Sequence, residues 1–354
     1  MKINSKKIEE FFAPLINIKG VGNIVYSLAF LVILFVPLFE DIYTSSPIST
    51  QVFIGKEKMI SMVNNFKYHV LKDKIFTGLI ANQDGWLAYT GEKSLDDFQN
   101  ADQFTSGELE NIRARLNNLC SKLTESGIKL IIVVPPNKNT IYPEYMPFEI
   151  TQMNKESRLD QVMTIWSDTD NCKMVDLRNI LFEAKKNNKV YYSTDTHWNQ
   201  FGAFLAYQEL AKIMKIDFPA IKVRSLSDFQ LGLSIFSGDL RGGNFGHFDL
   251  SEETVNLQFK FKPNYSSRYF TSPEGVNMII THSSENTLPK AIFYRDSFFT
   301  AVYPYISEDF SEAYYFWSQN IDFEWVNLKK PDYLILEVAE RYLGDVFFNI
   351  PNLK

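Results

Sequence analysis

The sequence predicts an α/β fold: a mainly parallel sheet flanked by helices, preceded by one N-terminal transmembrane helix. Two observations carry this. From about residue 128 onward, short runs of β-branched residues alternate with segments of helical spacing, the pattern of helices laid across a parallel sheet. Earlier, Val21–Phe39 ("VGNIVYSLAFLVILFVPLF") runs 19 residues without a charge. At ~1.5 Å per residue it approaches the ~30 Å of a bilayer core.

Local signals set the order of elements. "IFTGLIANQDGWLAYTG" (Ile75–Gly91) reads as a hairpin turned by Asn82, Gln83, Asp84 and Gly85. Thr105 and Glu108 have the spacing of a capping box, and the helix they start stops near Gly127. "IKLIIVVPP" (Ile128–Pro136) is a buried strand ended by two prolines. A helix over 154–167, a strand over 173–177 and a helix over 178–186 follow, and Asn199 caps the next helix. Residues 221–287 read as irregular, with short strand-like runs such as "LQFKFK". "KAIFYRDSFF" gives a strand, a sharp turn and a helix start; "EAYYFWS" and "DYLILEVAERYL" give two more strands with a helix between them. Active groups of such sheets gather at the carboxyl ends of strands. Pro135–Lys138, Asp195–His197, Asp296–Ser297 and Glu337–Arg341 are all expected there.

The chain divides into a cytoplasmic segment (1–20), the anchor (21–39), a linker and membrane-proximal segment (40–74) and a catalytic domain (75–354). Lys2, Lys6, Lys7 and Lys19 precede the apolar run, and Glu40 and Asp41 follow it. Positive charge on the N-terminal flank keeps that end in the cytoplasm and sends the catalytic domain to the periplasmic or extracellular side. A cleaved signal peptide is the alternative, although no A-x-A site follows Phe39. Cys120 and Cys172 read equally as one disulfide or as two buried thiols. The net charge of −6, with no Lys/Arg run interleaved with aromatics, argues against nucleic-acid binding.

Four histidines limit the search for a catalytic base. His69 lies in a polar helical pattern, and His282 follows a strand. His247 has Asp249 nearby and is a rival. His197, in "YYSTDTHWNQ", has Asp195 two residues before it, a strand end on its approach and a helix after it. A serine hydroxyl needs such a base, and the base needs a third group to fix its tautomer. Ser297 follows a buried strand on a tight turn, and its own amide can face an oxyanion. Each feature also has a structural reading: Asp-x-His as a capped helix entrance, Asp296-Ser297 as an N-cap. Asp195, His197 and Asn199 could ligate a metal, but no second histidine stands at ligand spacing and none is expected.

"DGWLAY" (Asp84–Tyr89), "VVPPNKNTIYPEYMP" (Val133–Pro147), "DTHWNQFG" (Asp195–Gly202), "SGDL" (Ser237–Leu240) and "RDSFF" (Arg295–Phe299) occur in an informative order. Together they resemble the SGNH-hydrolase-like polysaccharide O-acetyltransferases of the AlgJ/AlgX type. With its anchor, and with no carbohydrate-binding module before Lys354, the chain resembles the AlgJ side more. The resemblance implies an SGNH-hydrolase-like (flavodoxin-like) domain and a triad of Asp195, His197 and Ser297; no acetyl-CoA site is visible in the sequence, and no cofactor is expected. The resemblance also implies a polytopic membrane-bound O-acyltransferase as the partner supplying acetyl, and an exopolysaccharide such as alginate as the acceptor. The expected activity is extracytoplasmic O-acetyl transfer. A polysaccharide acetyl esterase and a non-catalytic scaffold are the alternatives. Trp198 is expected either as a stacking platform for sugar or as a core wedge behind His197. Lys138, Tyr142, Arg295 and Arg341 are expected as rim contacts, with Arg341 otherwise pairing with Glu337. Arg295 departs from the family, where Gly often precedes the Asp-Ser pair.

Overall fold

A computed structural model describes residues 56–351, apart from residues 83, 243–247 and 272–274. The expected cytoplasmic segment, the anchor Val21–Phe39, the polar linker at 45–50 and His247 therefore lie outside the described residues. Among the described residues no helix is long and apolar enough to cross a membrane.

Strands β1 (Ile75–Phe76), β2 (Leu79–Ala81) and β3 (Leu87–Tyr89) form a small antiparallel sheet. β2 and β3 are the predicted hairpin, and Gly85 supplies the left-handed turn residue at φ 84°. Next come β4 (Lys129–Val134), β5 (Cys172–Asp176), β6 (Phe229–Phe236), β7 (Glu252–Phe259), β8 (Ser266–Thr271), β9 (Asn277–His282), β10 (Lys290–Arg295), β11 (Glu312–Trp317) and β12 (Tyr333–Glu337). The helices are α1 (Lys56–Phe66), α2 (Ser94–Gln99), α3 (Ser106–Glu125), α4 (Lys138–Ile141), α5 (Arg158–Ile165), α6 (Arg178–Lys185), α7 (Gln200–Lys215), α8 (Tyr303–Ile306), α9 (Phe323–Lys329) and α10 (Leu343–Phe347).

The central sheet runs β5-β4-β12-β10-β11-β9-β8. Its first four pairings are parallel, and β11–β9 and β9–β8 are antiparallel. The sheet is thus mixed, where the sequence predicted a mainly parallel one. The two added strands, and the separate antiparallel pair β6–β7, come from the stretch read as irregular. β8 ("SSRYFT") is exposed along its whole length, so no alternation marks it; its pairing with β9 places it in the sheet.

Alternation of side chains along each strand splits the core in two. Ile131, Val133, Phe293, Tyr315, Tyr333 and Ile335 share one core with Phe204, Tyr207 and Leu210 of α7. Leu130, Ile132, Val134, Ile292, Tyr294, Leu334 and Leu336 share the other with Ile112, Leu116, Leu119 and Leu123 of α3. The Thr105/Glu108 capping box is in place. The helix expected over 154–167 is shorter, because Ser157 and Asp160 form a capping box that starts it at Arg158.

Cys120 on α3 and Cys172 on β5 form a disulfide with a sequence separation of 52. In the chain-entropy model a loop of that length is worth about 4 kcal/mol, and native disulfides commonly contribute about 2–5 kcal/mol. Replacing both cysteines by serine should lower the urea-unfolding free energy on that scale, and dithiothreitol should lower the wild type to the same value. An unchanged midpoint in both experiments would contradict this bond's structural role.

Candidate active site

The segment approaching His197 was expected to be a strand end. It is instead a loop closed on itself by an isolated bridge between Tyr191 and Trp198. Little of its backbone is paired to a strand, so side chains from distant elements satisfy much of the rest. Lys138, at the start of α4 beyond the end of β4, donates from Nζ to the carbonyls of Tyr192 (3.1 Å), Ser193 (3.1 Å) and Asp195 (2.6 Å). Glu252, the first residue of β7, accepts the amides of Ser193 and Thr194, each at 2.8 Å, and the Thr194 hydroxyl. The Leu87 amide on β3 donates to the Ser193 carbonyl. Asp239 accepts the Thr196 amide and hydroxyl, both at 2.9 Å, and its own amide donates to Asp195 Oδ2 at 2.9 Å. Gly238 makes that approach possible: a Cβ there would lie 2.2 Å from the Thr194 carbonyl oxygen.

Held this way, the loop presents the histidine. His197 Nδ1 lies 2.6 Å from Asp195 Oδ1, which also accepts the His197 amide at 2.9 Å. His197 Nε2 lies 2.7 Å from Ser297 Oγ, although 100 residues separate them. A carboxylate accepts only, so Nδ1 carries the proton and Nε2 is left to take one from serine. Burial pushes the Asp195 carboxyl up, but hydrogen bonds from the His197 ring and amide and from the Asp239 amide outweigh it and hold it below its ordinary value. Asp239 goes the other way: burial and the neighbouring Asp195 charge raise it. The two neighbouring carboxyls are thus shifted in opposite directions, the one against the ring downward and the other upward.

Ser297 stands at the carboxyl end of β10, as expected, but it does not cap a helix. Asp296 does the local work: its Oδ1 accepts the Phe298 amide at 2.9 Å, its Oδ2 accepts the Ala339 amide at 3.2 Å, and its own amide donates to Glu337 Oε2 at 2.7 Å. The Ser297 hydroxyl makes no cap hydrogen bond, which leaves it for His197. Glu337 is fully buried, and burial and the Asp296 charge push its carboxyl well above its ordinary value.

The five residues expected to touch substrate are all buried. Trp198, 1% exposed, donates its indole N–H to the Phe298 carbonyl at 3.0 Å, so it takes the core-wedge position and ties the histidine loop to the serine turn. Tyr142 accepts the Val190 amide at 3.0 Å. Lys138 holds the loop as described. Arg295 turns back to donate to the Asp296 carbonyl and the Thr300 hydroxyl, with its guanidinium 4.1 Å from the Trp317 ring centroid. Arg341 pairs with Glu92 (3.2 Å) and not with Glu337 as the sequence suggested, because residues 340–342 form a short 3₁₀ turn that directs it toward Phe298. These placements remove them from the rim because each has backbone or carboxylate partners inside. Asn199 caps α7 and donates to the Lys189 carbonyl, so it does not face the imidazole. Asp195, His197 and Asp239 have ligand atoms within 4.8 Å of one another, but the oxygens of both carboxylates already accept N–H or O–H groups of the loop.

Sequence reasoning missed Asp239 and Glu252. "SGDL" marked the first as part of a motif without assigning it a role. Nothing local marks the second, which acts across 58 residues.

The model of the SGNH hydrolase-like domain of acetyltransferase AlgX matches residues 79–272, more than half of the chain. The chain belongs to this family. The "Probable alginate O-acetylase AlgJ" of Pseudomonas aeruginosa is 31% identical over 147 residues, covering 40% of this chain and 36% of that protein. The matched stretch therefore spans about a third of the relative's length. Two solved structures share the fold. Bacillus cereus PatB1 aligns with a TM-score of 0.60 at 16% identity, over 77% of this chain and 99% of its own. A DHHW family protein from Eubacterium siraeum aligns at 0.57 and 15%, over 78% and 96%.

Lys138→Met keeps the length of the side chain but leaves three carbonyls without their donor. It should lower kcat roughly 10²-fold with little change in KM, the scale of misplacing a catalytic group by about 1 Å. Burial pushes the Lys138 ammonium from 10.5 down to about 7. The native state thus holds this proton less tightly than the unfolded chain does, so wild-type stability should rise with pH toward 10.5 relative to Lys138→Met. Wild-type activity in the methionine variant would contradict the positioning role.

Proposed function

We propose that this chain is a polysaccharide O-acetyltransferase working through an acetyl-Ser297 intermediate. The observation that carries the reading is the unbroken hydrogen-bond chain Asp195–His197–Ser297 at the sheet rim. Membership of a family described as acetyltransferase, and the alginate O-acetylase name of the Pseudomonas relative, support the direction of transfer and the class of acceptor.

His197 Nε2 takes the Ser297 proton as Oγ attacks the carbonyl carbon of an acetyl ester. The carbonyl π electrons move to oxygen, and the Ser297 amide, which has no protein acceptor among the described residues, faces the oxyanion. The tetrahedral centre collapses, the donor's oxygen leaves with the proton from His197, and acetyl-serine remains. A sugar hydroxyl then gives its proton to Nε2 and attacks the acetyl carbonyl. Ser297 Oγ leaves and recovers the proton. Asp195 holds the Nδ1–H tautomer and stabilises the imidazolium in both half-reactions.

In this reading the catalytic domain works outside the cytoplasmic membrane, tethered by Val21–Phe39. A polytopic membrane-bound O-acyltransferase supplies the acetyl group from the cytoplasmic side. The Cys120–Cys172 disulfide supports an oxidising compartment.

Incubation with p-nitrophenyl acetate should add the mass of one acetyl group to a peptide containing Ser297, and an added oligosaccharide should remove it and become acetylated. Ser297→Ala should lose both reactions. His197→Ala should lower the rate about 10⁶-fold, the scale on which loss of a triad histidine acts. Acetate release with no acetylated sugar would make the chain an esterase, and undiminished transfer by Ser297→Ala would end the proposal.

A further inference from the structure

The indole expected to receive sugar, Trp198, is buried, but a different tryptophan stands open beside the nucleophile. Trp317 ends β11 and pairs with Arg295 of β10, two residues before Ser297. Adjacent strands lie ~4.8 Å apart, so Trp317 stands one strand spacing from Arg295 at the backbone, beside the turn that carries Ser297. Alternation puts Trp317 on the same face as Arg295 and Tyr315. Trp317 is 50% exposed, while Ala313, Tyr314, Tyr315 and Phe316 before it are buried.

The ring is fixed from behind. The Arg295 guanidinium lies 4.1 Å from its centroid and is itself anchored to the Asp296 carbonyl and the Thr300 hydroxyl on either side of Ser297. The ledge continues toward the sheet edge. Tyr269 on β8 is 76% exposed and stands opposite Ile279, which stands opposite Tyr315, so it shares this face. Its hydroxyl meets that of Tyr303 at 3.2 Å, which orients its ring. Rings held rigid and open beside a reactive group lose little entropy on binding, and exposed aromatic surface marks ligand sites.

We propose that Trp317, backed by Arg295 and extended by Tyr269, is the shelf on which a pyranose ring of the acceptor stacks before its hydroxyl reaches acetyl-Ser297. This rests on the transfer reading above and names its acceptor subsite. The shared chemistry is the apolar face of a sugar ring; a uronate and a neutral glucan are separate arms of the test.

The full chain with Ser297→Ala, which cannot turn over, is titrated by calorimetry with a mannuronate hexasaccharide and with cellohexaose. At least one should bind. Adding Trp317→Ala should weaken that binding about tenfold or more, the scale of losing an aromatic stack, and Trp317→Phe should restore most of it. With Ser297 intact, Trp317→Ala should raise KM for the same sugar, and Trp317→Phe should bring it most of the way back. Binding of neither sugar, or binding unchanged by Trp317→Ala, overturns the shelf. Loss of ester hydrolysis from the wild type would instead overturn the acetyl-serine reading, and the binding arm stands without it.

Discussion

A short loop of irregular backbone, from Tyr191 to Trp198, is buried at the rim of the sheet, and its carbonyls and amides must find partners there. Each such group left unpaired would cost about 1–3 kcal/mol. Lys138 satisfies three carbonyls, Glu252 two amides and Asp239 a third amide. The three come from α4, from β7 and from the turn after β6. The loop therefore has one conformation only when the whole domain is assembled, and in that conformation His197 faces Ser297. The geometry of the His197–Ser297 pair and the satisfaction of buried polar groups are the same constraint here.

The other half of the site depends on the parallel strands. β4, β10 and β12 run side by side in one direction, so the residues that leave their carboxyl ends meet. Asp296, Glu337 and the Ala339 amide form a hydrogen-bonded knot below Ser297. The knot fixes the turn without using the serine hydroxyl. Trp198 closes the two halves together by donating to the Phe298 carbonyl. The proposed nucleophile and base are thus each held by groups outside the proposed reaction.

Much of this was legible in residue order. β4, β10 and β12 announced themselves as short β-branched or apolar runs, and Thr105/Glu108 marked the start of α3 because a cap is a local interaction. Asp195, His197 and Ser297 were recognisable as chemistry. What could not be read is non-local. The role of Glu252 requires knowing that β7 returns to the loop, and the partner of Arg341 is 249 residues away. β8 carries no alternation because both of its faces are exposed. Trp198 and Trp317 look alike as residues; only packing makes one a wedge and the other a ledge.

The state of the His197 ring tests the central claim most directly. Nitrogen NMR of the ring-labelled protein, followed across pH into the neutral imidazole, should show the proton on Nδ1, hydrogen-bonded to Asp195, with Nε2 bare toward Ser297. Lys138→Met or Glu252→Gln should perturb that signal without touching the ring. A neutral ring with its proton on Nε2 would mean that the loop holds the histidine in the wrong form to receive the serine proton, and the account would fail.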